Sequence, residues 1–164
     1  MKKILTLALA VAITAPAFAA EDGVLILATN GTYPPFSEID NSGKMTGFDI
    51  DIGLALCAEM KRQCRFEQMD WEGLIPALKA KKVDALVTSM NDTPKRRESV
   101  AFTDPYYSNP GLFVRAKGSN IEPTPEGVKG KTIGVLRASI FDNYVTDKFP
   151  DANIRRYTGQ EEAN

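Results

Sequence analysis

The stretch VDALVTSMNDTPKRR, at residues 83–97, decides the fold and contains the first sign of a functional site. Its apolar beginning, residues 83–87, is typical of a buried strand. Its end begins a helix, because Thr93 can cap the first turn and Pro94 fits a position that needs no N–H donor. The polar loop between them therefore lies at the carboxyl edge of a sheet, where ligands bind in α/β proteins.

Strand and helix patterns alternate along the rest of the chain. Predicted strands lie at residues 24–28, 65–69, 83–87, 132–136 and 154–157, and predicted helices lie at 50–61, at 71–81, from 93 onward and at 139–148. This alternation indicates an α/β fold with largely parallel sheets. Because the pattern restarts near residue 130, we expect two lobes, at residues 21–110 and 111–164. The second would be too small to cover both faces of a sheet, so we expect an incomplete fold in a fragment of a longer protein.

The N-terminus has the three parts of a secretory signal peptide. Two lysines form a short positive region, residues 4–13 form an apolar run interrupted by one threonine, and an Ala-Phe-Ala triplet suits cleavage after Ala19 or Ala20. A membrane anchor is the alternative, but the run is much shorter than the ~20 residues that span a bilayer. We therefore expect residues 1–20 to be a signal peptide and the protein to be periplasmic.

Composition excludes several classes of protein. Of the 20 basic and 21 acidic residues, the predicted signal peptide takes two lysines, leaving 18 basic against 21 acidic residues, a net charge of −3. That balance argues against a general nucleic-acid binder. The sequence contains no histidine, so it offers no Ser-His-Asp triad, no Cys-His pair and no usual metal centre. We therefore expect no metal, no cofactor and no enzymatic activity.

The two cysteines, Cys57 and Cys64, both follow the predicted signal peptide. In an oxidising compartment, a pair at this spacing favours a disulfide, which would join the end of one helix to the next strand. A metal site is the alternative, although two thiols without histidine rarely complete one.

The polar loop and the helix after it could bind an anion. Thr88, Ser89 and Asn91 offer hydroxyl, amide and backbone groups, and the helix offers free N–H groups. Arg96 lies in the first helical turn, where a positive charge interacts unfavourably with the helix dipole. That cost suggests an anionic ligand, and the planar guanidinium fits a carboxylate. A solvated charge cluster at residues 95–97 explains the pattern equally well, so both interpretations stay open at this point.

Tyr33 and Trp71 each follow a predicted strand by a few residues, so both could stand at the same sheet edge. Because the stretch at residues 30–35 ends in Pro34 and Pro35, we expect neither helix nor strand there. Aromatic rings at the edge could sandwich the apolar stem of a ligand. Ordinary core packing is the alternative, and it explains each ring taken alone at least as well.

Two acids, Asp49 and Asp51, stand at the start of the predicted helix at residues 50–61. They could form a catalytic pair. Helix capping is the simpler interpretation, because acids are favoured by the helix dipole and can accept hydrogen bonds from the free N–H groups of the first turn. We therefore expect both acids to serve the helix end.

Several motifs together match a known family. They are TYPPF at 32–36, GFDID at 47–51, LIPALKAKKVDA at 74–85, AFTDPY at 101–106, GKTIGVL at 130–136 and the spacing of Cys57 and Cys64. On these motifs the chain resembles the periplasmic amino-acid-binding proteins of ABC importers, especially the lysine/arginine/ornithine- and histidine-binding group, from about residue 24 to 157. The resemblance implies a two-lobed, type II periplasmic-binding-protein-like fold. It also implies a monomer that captures an amino-acid-like ligand by hinge closure near residues 108–116 and delivers it to an inner-membrane permease.

The resemblance implies roles for residues at matching positions. Arg96 matches the arginine that pairs with the ligand α-carboxylate. Other positions match groups that bond the carboxylate and ammonium (Thr88, Ser89, Asn91), the aromatic walls (Tyr33, Trp71), the contact to the ligand side chain (Asn30) and the closing face of the second lobe (Leu136, Ser139). Together these residues form the ligand site that the resemblance implies.

Some positions depart from the family pattern. Asn30 stands where relatives that bind cationic ligands carry an aspartate, and Asn91 stands in place of a serine. Arg137 replaces a neutral residue, while Ile140 and Phe141 replace polar ones. These departures favour a ligand side chain other than that of lysine or arginine: neutral, acidic or opine-like. Two other functions stay open on the same scaffold, a dehydratase-type enzyme and the ligand-sensing domain of a receptor.

Overall fold

The structure, a computed structural model, describes residues 23–108 and 110–164, so the predicted signal peptide lies outside the described residues. Within them, no helix is both long enough and apolar enough to cross a membrane. The elements in chain order are β1 Leu25–Thr29, β2 Thr32–Tyr33, β3 Ser37–Ile39, β4 Met45–Thr46, α1 Phe48–Glu59, β5 Cys64–Gln68, a 3-10 turn Trp71–Gly73, α2 Leu74–Lys79, β6 Ala85–Leu86, α3 Pro94–Arg97, α4 Pro125–Val128, β7 Thr132–Leu136, α5 Ile140–Lys148, β8 Asn153–Tyr157 and α6 Gln160–Ala163.

The N-terminal unit is built on a parallel three-stranded sheet in the order β5-β1-β6. The central strand β1 pairs along its whole length with β5, and at Leu27 and Ala28 it pairs with β6. Both faces of β1 are buried, because Ala28 clusters with Leu74 of α2 and Leu27 clusters with Cys57 of α1. This arrangement confirms the α/β prediction and explains why the first strand is a continuous apolar run.

The third strand is shorter than the apolar pattern at residues 83–87 predicts, since β6 contains only Ala85–Leu86. Asp84 explains the late start. Its side-chain Oδ2 accepts the backbone N–H of Ile26 at 2.8 Å. The Ile26 N–H is thus taken by a carboxylate instead of the backbone carbonyl that would continue the ladder, although the Asp84 N–H still donates to the Ile26 carbonyl at 2.8 Å.

Two other segments differ from their predicted boundaries. The helix predicted at residues 71–81 begins with the 3-10 turn, and α2 starts at Leu74. Pro76 therefore falls in the first turn of α2, where its missing N–H costs no helical hydrogen bond. The loop after β1 contains two short strands, β2 and β3, which pair on either side of Pro34 and Pro35 and continue into β4. The two prolines stay outside the strands, but Thr32 and Tyr33 form β2, so the prediction that residues 30–35 contain no strand is wrong at those two positions.

The C-terminal unit is a parallel pair, β7 and β8, connected by α5. Its core contains Val135 of β7 together with Val145 and Phe149 at the end of the helix. Ser139 caps α5, because its Oγ accepts the backbone N–H of Asp142 at 3.1 Å. The strand–helix–strand pattern predicted after residue 130 is therefore confirmed.

A disulfide joins Cys57 in α1 to Cys64, the first residue of β5, with Cα atoms 6.2 Å apart. The predicted disulfide is confirmed, and a metal site on these two residues is excluded because both sulfurs are in the bond. The crosslink ties the last turn of α1 to an edge strand of the N-terminal sheet.

Candidate functional site

A cleft lies at the carboxyl ends of the strands, where the sequence predicts a site. Strand ends from both units reach it, since Asn30 follows β1, Trp71 follows β5 and Leu136 ends β7. The cleft is open to solvent, and the empty space counted out to its mouth is about 520 Å³. Every residue predicted for the site lines this cleft: Asn30, Tyr33, Trp71, Thr88, Ser89, Asn91, Arg96, Leu136 and Ser139.

Arg96 contributes a half-buried cation to the cleft. Its backbone N–H is capped by Thr93 Oγ1 at 3.2 Å, and its Nη1 donates to the Asn91 carbonyl at 2.8 Å. Its Cζ lies 5.4 Å from the centroid of the Trp71 ring, which is a cation–π contact. Burial lowers the pKa of Arg96, and no carboxylate among the described residues offsets that effect. The guanidinium remains protonated, so its counterion must come from elsewhere.

The neighbouring Arg97 is in a different environment. It is exposed, and its Nε donates to Asp92 Oδ1 at 2.7 Å within an ion pair. The hydrogen bond from Arg97 lowers the pKa of Asp92. The three basic residues at 95–97 therefore do not form one solvated cluster, because Arg97 has a surface partner and Arg96 lines the cleft.

The hydrogen bonds of Thr88 make its hydroxyl a donor toward the cleft. Its Oγ1 accepts from the Thr29 hydroxyl at 3.2 Å and from the backbone N–H of Asn30 at 3.2 Å. A hydroxyl has two acceptor lone pairs and one hydrogen, so these two bonds leave the hydrogen for another acceptor. A ligand carboxylate would be such an acceptor.

Asp49 is not the capping residue that its position predicts. The N-cap of α1 is Gly47, and no side chain caps that helix end. Loop carbonyls accept its N–H groups instead, and the Phe36 carbonyl accepts the Asp49 N–H at 2.8 Å. The side chain of Asp49 is instead fully buried, and it accepts from Ser89 Oγ at 2.7 Å and from the Tyr106 hydroxyl at 2.8 Å. Burial raises the pKa of Asp49, although both hydrogen bonds oppose the shift. The capping interpretation of Asp49 is therefore wrong.

The C-terminal unit supplies the opposite wall through the end of β7 and the start of α5. Two contacts join the walls across the cleft. The indole Nε1 of Trp71 donates to the Ala138 carbonyl at 3.4 Å, and Arg137 Nη1 lies 3.6 Å from Glu72 Oε2. Both side chains of this ion pair are about half exposed, at 46% and 51%, so the pair adds little stability of its own.

Sequence reasoning did not assign Gln160 to the site, yet this residue lines the cleft. It opens α6 shortly after β8 ends, so it follows the same strand-end rule that found Asn30 and Trp71. Ile140 and Phe141 also line the cleft, in the first turn of α5. They add apolar surface to a wall for which the sequence predicted only Leu136 and Ser139 as ligand contacts.

The structure has two α/β units with a cleft between their strand ends. Within that cleft lies a cation that has no ion-pair partner among the described residues. These features define a two-lobed solute-binding scaffold. A comparison with protein families gives the same class. The sequence model of one family, the bacterial extracellular solute-binding proteins, family 3, matches residues 25–157. The chain belongs to this family.

The chain is similar to curated binding proteins of known ligand. It is 44% identical over 168 residues to the L-arginine-binding protein of Pseudomonas aeruginosa, covering 100% of this chain and 64% of that protein. It is 40% identical over 155 residues to the lysine/arginine/ornithine-binding periplasmic protein of Escherichia coli, covering 93% of this chain and 60% of that protein. The chain thus spans less than two thirds of the length of these relatives.

Solved structures share the fold. A Salmonella typhimurium periplasmic binding protein with high arginine specificity matches with a TM-score of 0.76 at 36% identity, over 85% of this chain and 62% of that one. An ancestral amino acid-binding protein, a precursor of cyclohexadienyl dehydratase, matches with a TM-score of 0.79 at 31% identity, over 86% and 63%. These matches confirm the two-lobed periplasmic-binding-protein-like fold.

Proposed function

We propose that the protein captures a polar amino acid or amino-acid derivative outside the cytoplasm and delivers it to an ABC importer. The observation that carries the proposal is Arg96, a half-buried cation in the cleft with no ion-pair partner among the described residues. The relatives named for binding arginine, or lysine, arginine and ornithine, support an amino-acid ligand. Relatives named as periplasmic support a periplasmic location, with residues 1–20 as a cleaved signal peptide.

The residues around Arg96 suggest how an amino acid would lie in the cleft. Its carboxylate would accept two parallel hydrogen bonds from the guanidinium, and Thr88 would add a third donor. Its ammonium would donate to Ser89, whose hydroxyl hydrogen is already given to a buried carboxylate. Tyr33 and Trp71 would contact the apolar stem. This pose pairs both charged ends, without which burying a zwitterion would be costly.

The charge of the cleft favours particular ligand side chains. Among the cleft residues that the structure describes, Arg96 is the one charged side chain, and no carboxylate is present. A lysine or arginine ligand would therefore bury a second cation without a counter-charge from these residues. Asn30 offers an amide, whose oxygen accepts from the Thr32 hydroxyl. We infer that the ligand side chain is neutral or acidic.

Capture would involve closure of two lobes, residues 21–110 and 111–164, about a hinge near residues 108–116. The described residues between α3 and α4 form no helix or strand, which suits a connection that bends. The two contacts that join the cleft walls are the kind of contact that closure would form. A closed monomer would present both lobes to the inner-membrane permease.

Isothermal titration of the complete gene product with the common amino acids tests this function. We expect at least one amino acid to bind, with neutral or acidic side chains ahead of lysine and arginine. The likeness to a dehydratase precursor makes an enzyme the specific rival. Incubation with prephenate, an acid of the kind such dehydratases consume, should give no product. Failure of every amino acid to bind, or turnover of the acid, would contradict the proposal.

A further inference from the structure

Asp49 lies beneath the cleft wall, fully buried and outside the set of residues that line the cleft. Gly47 makes this placement possible. Its φ of 120° favours glycine, and a Cβ atom there would lie 2.5 Å from the carbonyl oxygen of Phe36. The close approach packs the start of α1 against the loop that contains Phe36, and the Asp49 carboxylate faces Ser89 in the loop after β6.

Three hydrogen bonds connect Asp49, Ser89 and Tyr106. Ser89 Oγ donates to Asp49 Oδ2 at 2.7 Å, and the Tyr106 hydroxyl donates to Asp49 Oδ1 at 2.8 Å. The backbone N–H of Ser89 donates in turn to the Tyr106 oxygen at 3.4 Å. Ser89 is held at a φ of +49°, a conformation that serine rarely adopts unless its surroundings impose it.

These bonds determine what Ser89 can offer a ligand. A serine hydroxyl has one hydrogen, and that hydrogen is given to Asp49. Each carboxylate oxygen accepts one hydroxyl hydrogen, which is the pattern of an ionised acid. The Ser89 oxygen therefore faces the cleft with its lone pairs alone, as an acceptor. Thr88, directly before it in the chain, has the opposite arrangement and faces the cleft as a donor.

We propose that Asp49 is a positioning residue that fixes the Ser89 hydroxyl as a hydrogen-bond acceptor, and so selects ligands that present a donor, such as a primary ammonium, at that point. The selection rests on the proposed function, because it needs an amino-acid ligand in the cleft. The positioning itself does not, because both partners of each hydrogen bond belong to the protein. Without Asp49, the Ser89 hydrogen is free to point into the cleft, where a ligand hydroxyl can accept it and an ammonium cannot, so the preference for an ammonium over a hydroxyl should fall.

The test compares amino acids with the 2-hydroxy acids of the same shape. We would titrate the parent protein, Asp49→Ala and Asp49→Asn with L-glutamate against L-2-hydroxyglutarate, and with L-arginine against argininic acid. In Asp49→Ala the ratio of the two dissociation constants should fall about tenfold or more, the size of one charge-assisted hydrogen bond. Asp49→Asn keeps the shape and one acceptor, so it should show a smaller fall in the same direction. It also gives an answer if the alanine variant does not fold.

Asp51→Ala is the matched control, because Asp51 is an exposed acid in the same helical turn. It should leave the ratio unchanged. In a Ser89→Ala background, removing Asp49 should have no further effect on the ratio, whereas a purely structural role of Asp49 would lower affinity for both members of each pair. An unchanged ratio in both Asp49 variants would overturn the proposed selection.

Amide hydrogen exchange gives a readout that needs no ligand. The Ser89 N–H should exchange faster in Asp49→Ala than in the parent, because the Tyr106 oxygen that accepts it loses its anchor. Asp51→Ala should not change it. If no probe binds the parent, the proposed function fails. The exchange rate of the Ser89 N–H then tests by itself whether Asp49 positions Ser89. Equal Ser89 exchange in the parent and Asp49→Ala would overturn it.

Discussion

Replacing Arg96 by alanine tests the cleft most directly, because the change removes a cation that no described carboxylate neutralises. In the free protein, the losses are one hydrogen bond to the Asn91 carbonyl and one cation–π contact with Trp71. The change also removes the cost of burying a charge, which offsets these losses. The free energy of unfolding should therefore change by no more than about 1 kcal/mol. Ligand binding should change far more. Removing one partner of a buried charge pair costs about 2–5 kcal/mol, which raises the dissociation constant roughly 30- to 4,000-fold.

The assay is titration calorimetry with the amino acid that the parent binds best. Arg97→Ala is the control, because Arg97 is adjacent, equally charged and paired at the surface with Asp92. An exposed pair contributes about 0–1 kcal/mol to stability, and its loss should leave affinity within about twofold. Arg96→Lys keeps the charge but loses the planar fork, so its affinity should lie between those of the parent and the alanine variant. If Arg96→Ala binds as tightly as Arg97→Ala, the carboxylate assignment is refuted.

Three further predictions concern other parts of the structure. Asn30→Asp should raise affinity for lysine and arginine relative to glutamine by about tenfold or more, because it supplies a counter-charge. Competition titrations check this, and an unchanged order would mean that the ligand side chain lies elsewhere. Replacing Cys57 and Cys64 together by serine should lower the free energy of unfolding in urea by about 2–3 kcal/mol. A reductant should then destabilise the parent and leave the variant unaffected. The raised pKa of Asp49 means that the folded protein binds this proton at higher pH than the unfolded chain. That stabilisation is present below the unfolded pKa and is lost as pH rises through the folded pKa. The parent should therefore gain stability over Asp49→Asn as the pH falls through that window, and urea unfolding that shows the opposite trend would contradict the assignment.

The parallel sheet could be predicted from the sequence because burial on both faces leaves a direct mark, a continuous apolar run. Its third strand could not be bounded in the same way. The apolar run at residues 83–87 contains one acid, Asp84, and the regular strand starts after it because the Asp84 carboxylate accepts the N–H of Ile26 on the neighbouring strand. That bond joins residues far apart in the chain, and it depends on a register that only the folded sheet defines.

The residues of the candidate site also divide into those that could be predicted from the sequence and those that could not. Asn30 and Trp71 could be predicted because the carboxyl ends of parallel strands meet at one edge. Asp49 could not, since an acid at a helix start predicts a cap, and its true partners depend on how α1 docks. Ser89 lies 40 residues away and Tyr106 57 residues away along the chain. No periodicity connects positions at those separations, so a buried carboxylate of this kind becomes visible only in three dimensions.

The hydrogen bonds also indicate an order of events in binding. Arg96 and Thr88 offer donors, and Ser89 offers an acceptor, so the N-terminal unit already distinguishes the two ends of a zwitterion. The opposite wall contributes apolar side chains, the Gln160 amide and Ser139, whose oxygen is used to cap α5. Among the described residues, the groups that fit the charged ends of a zwitterion therefore lie on the N-terminal unit. We infer that the ligand docks on the N-terminal unit first and that closure then strengthens contacts already made, since each becomes stronger once water leaves.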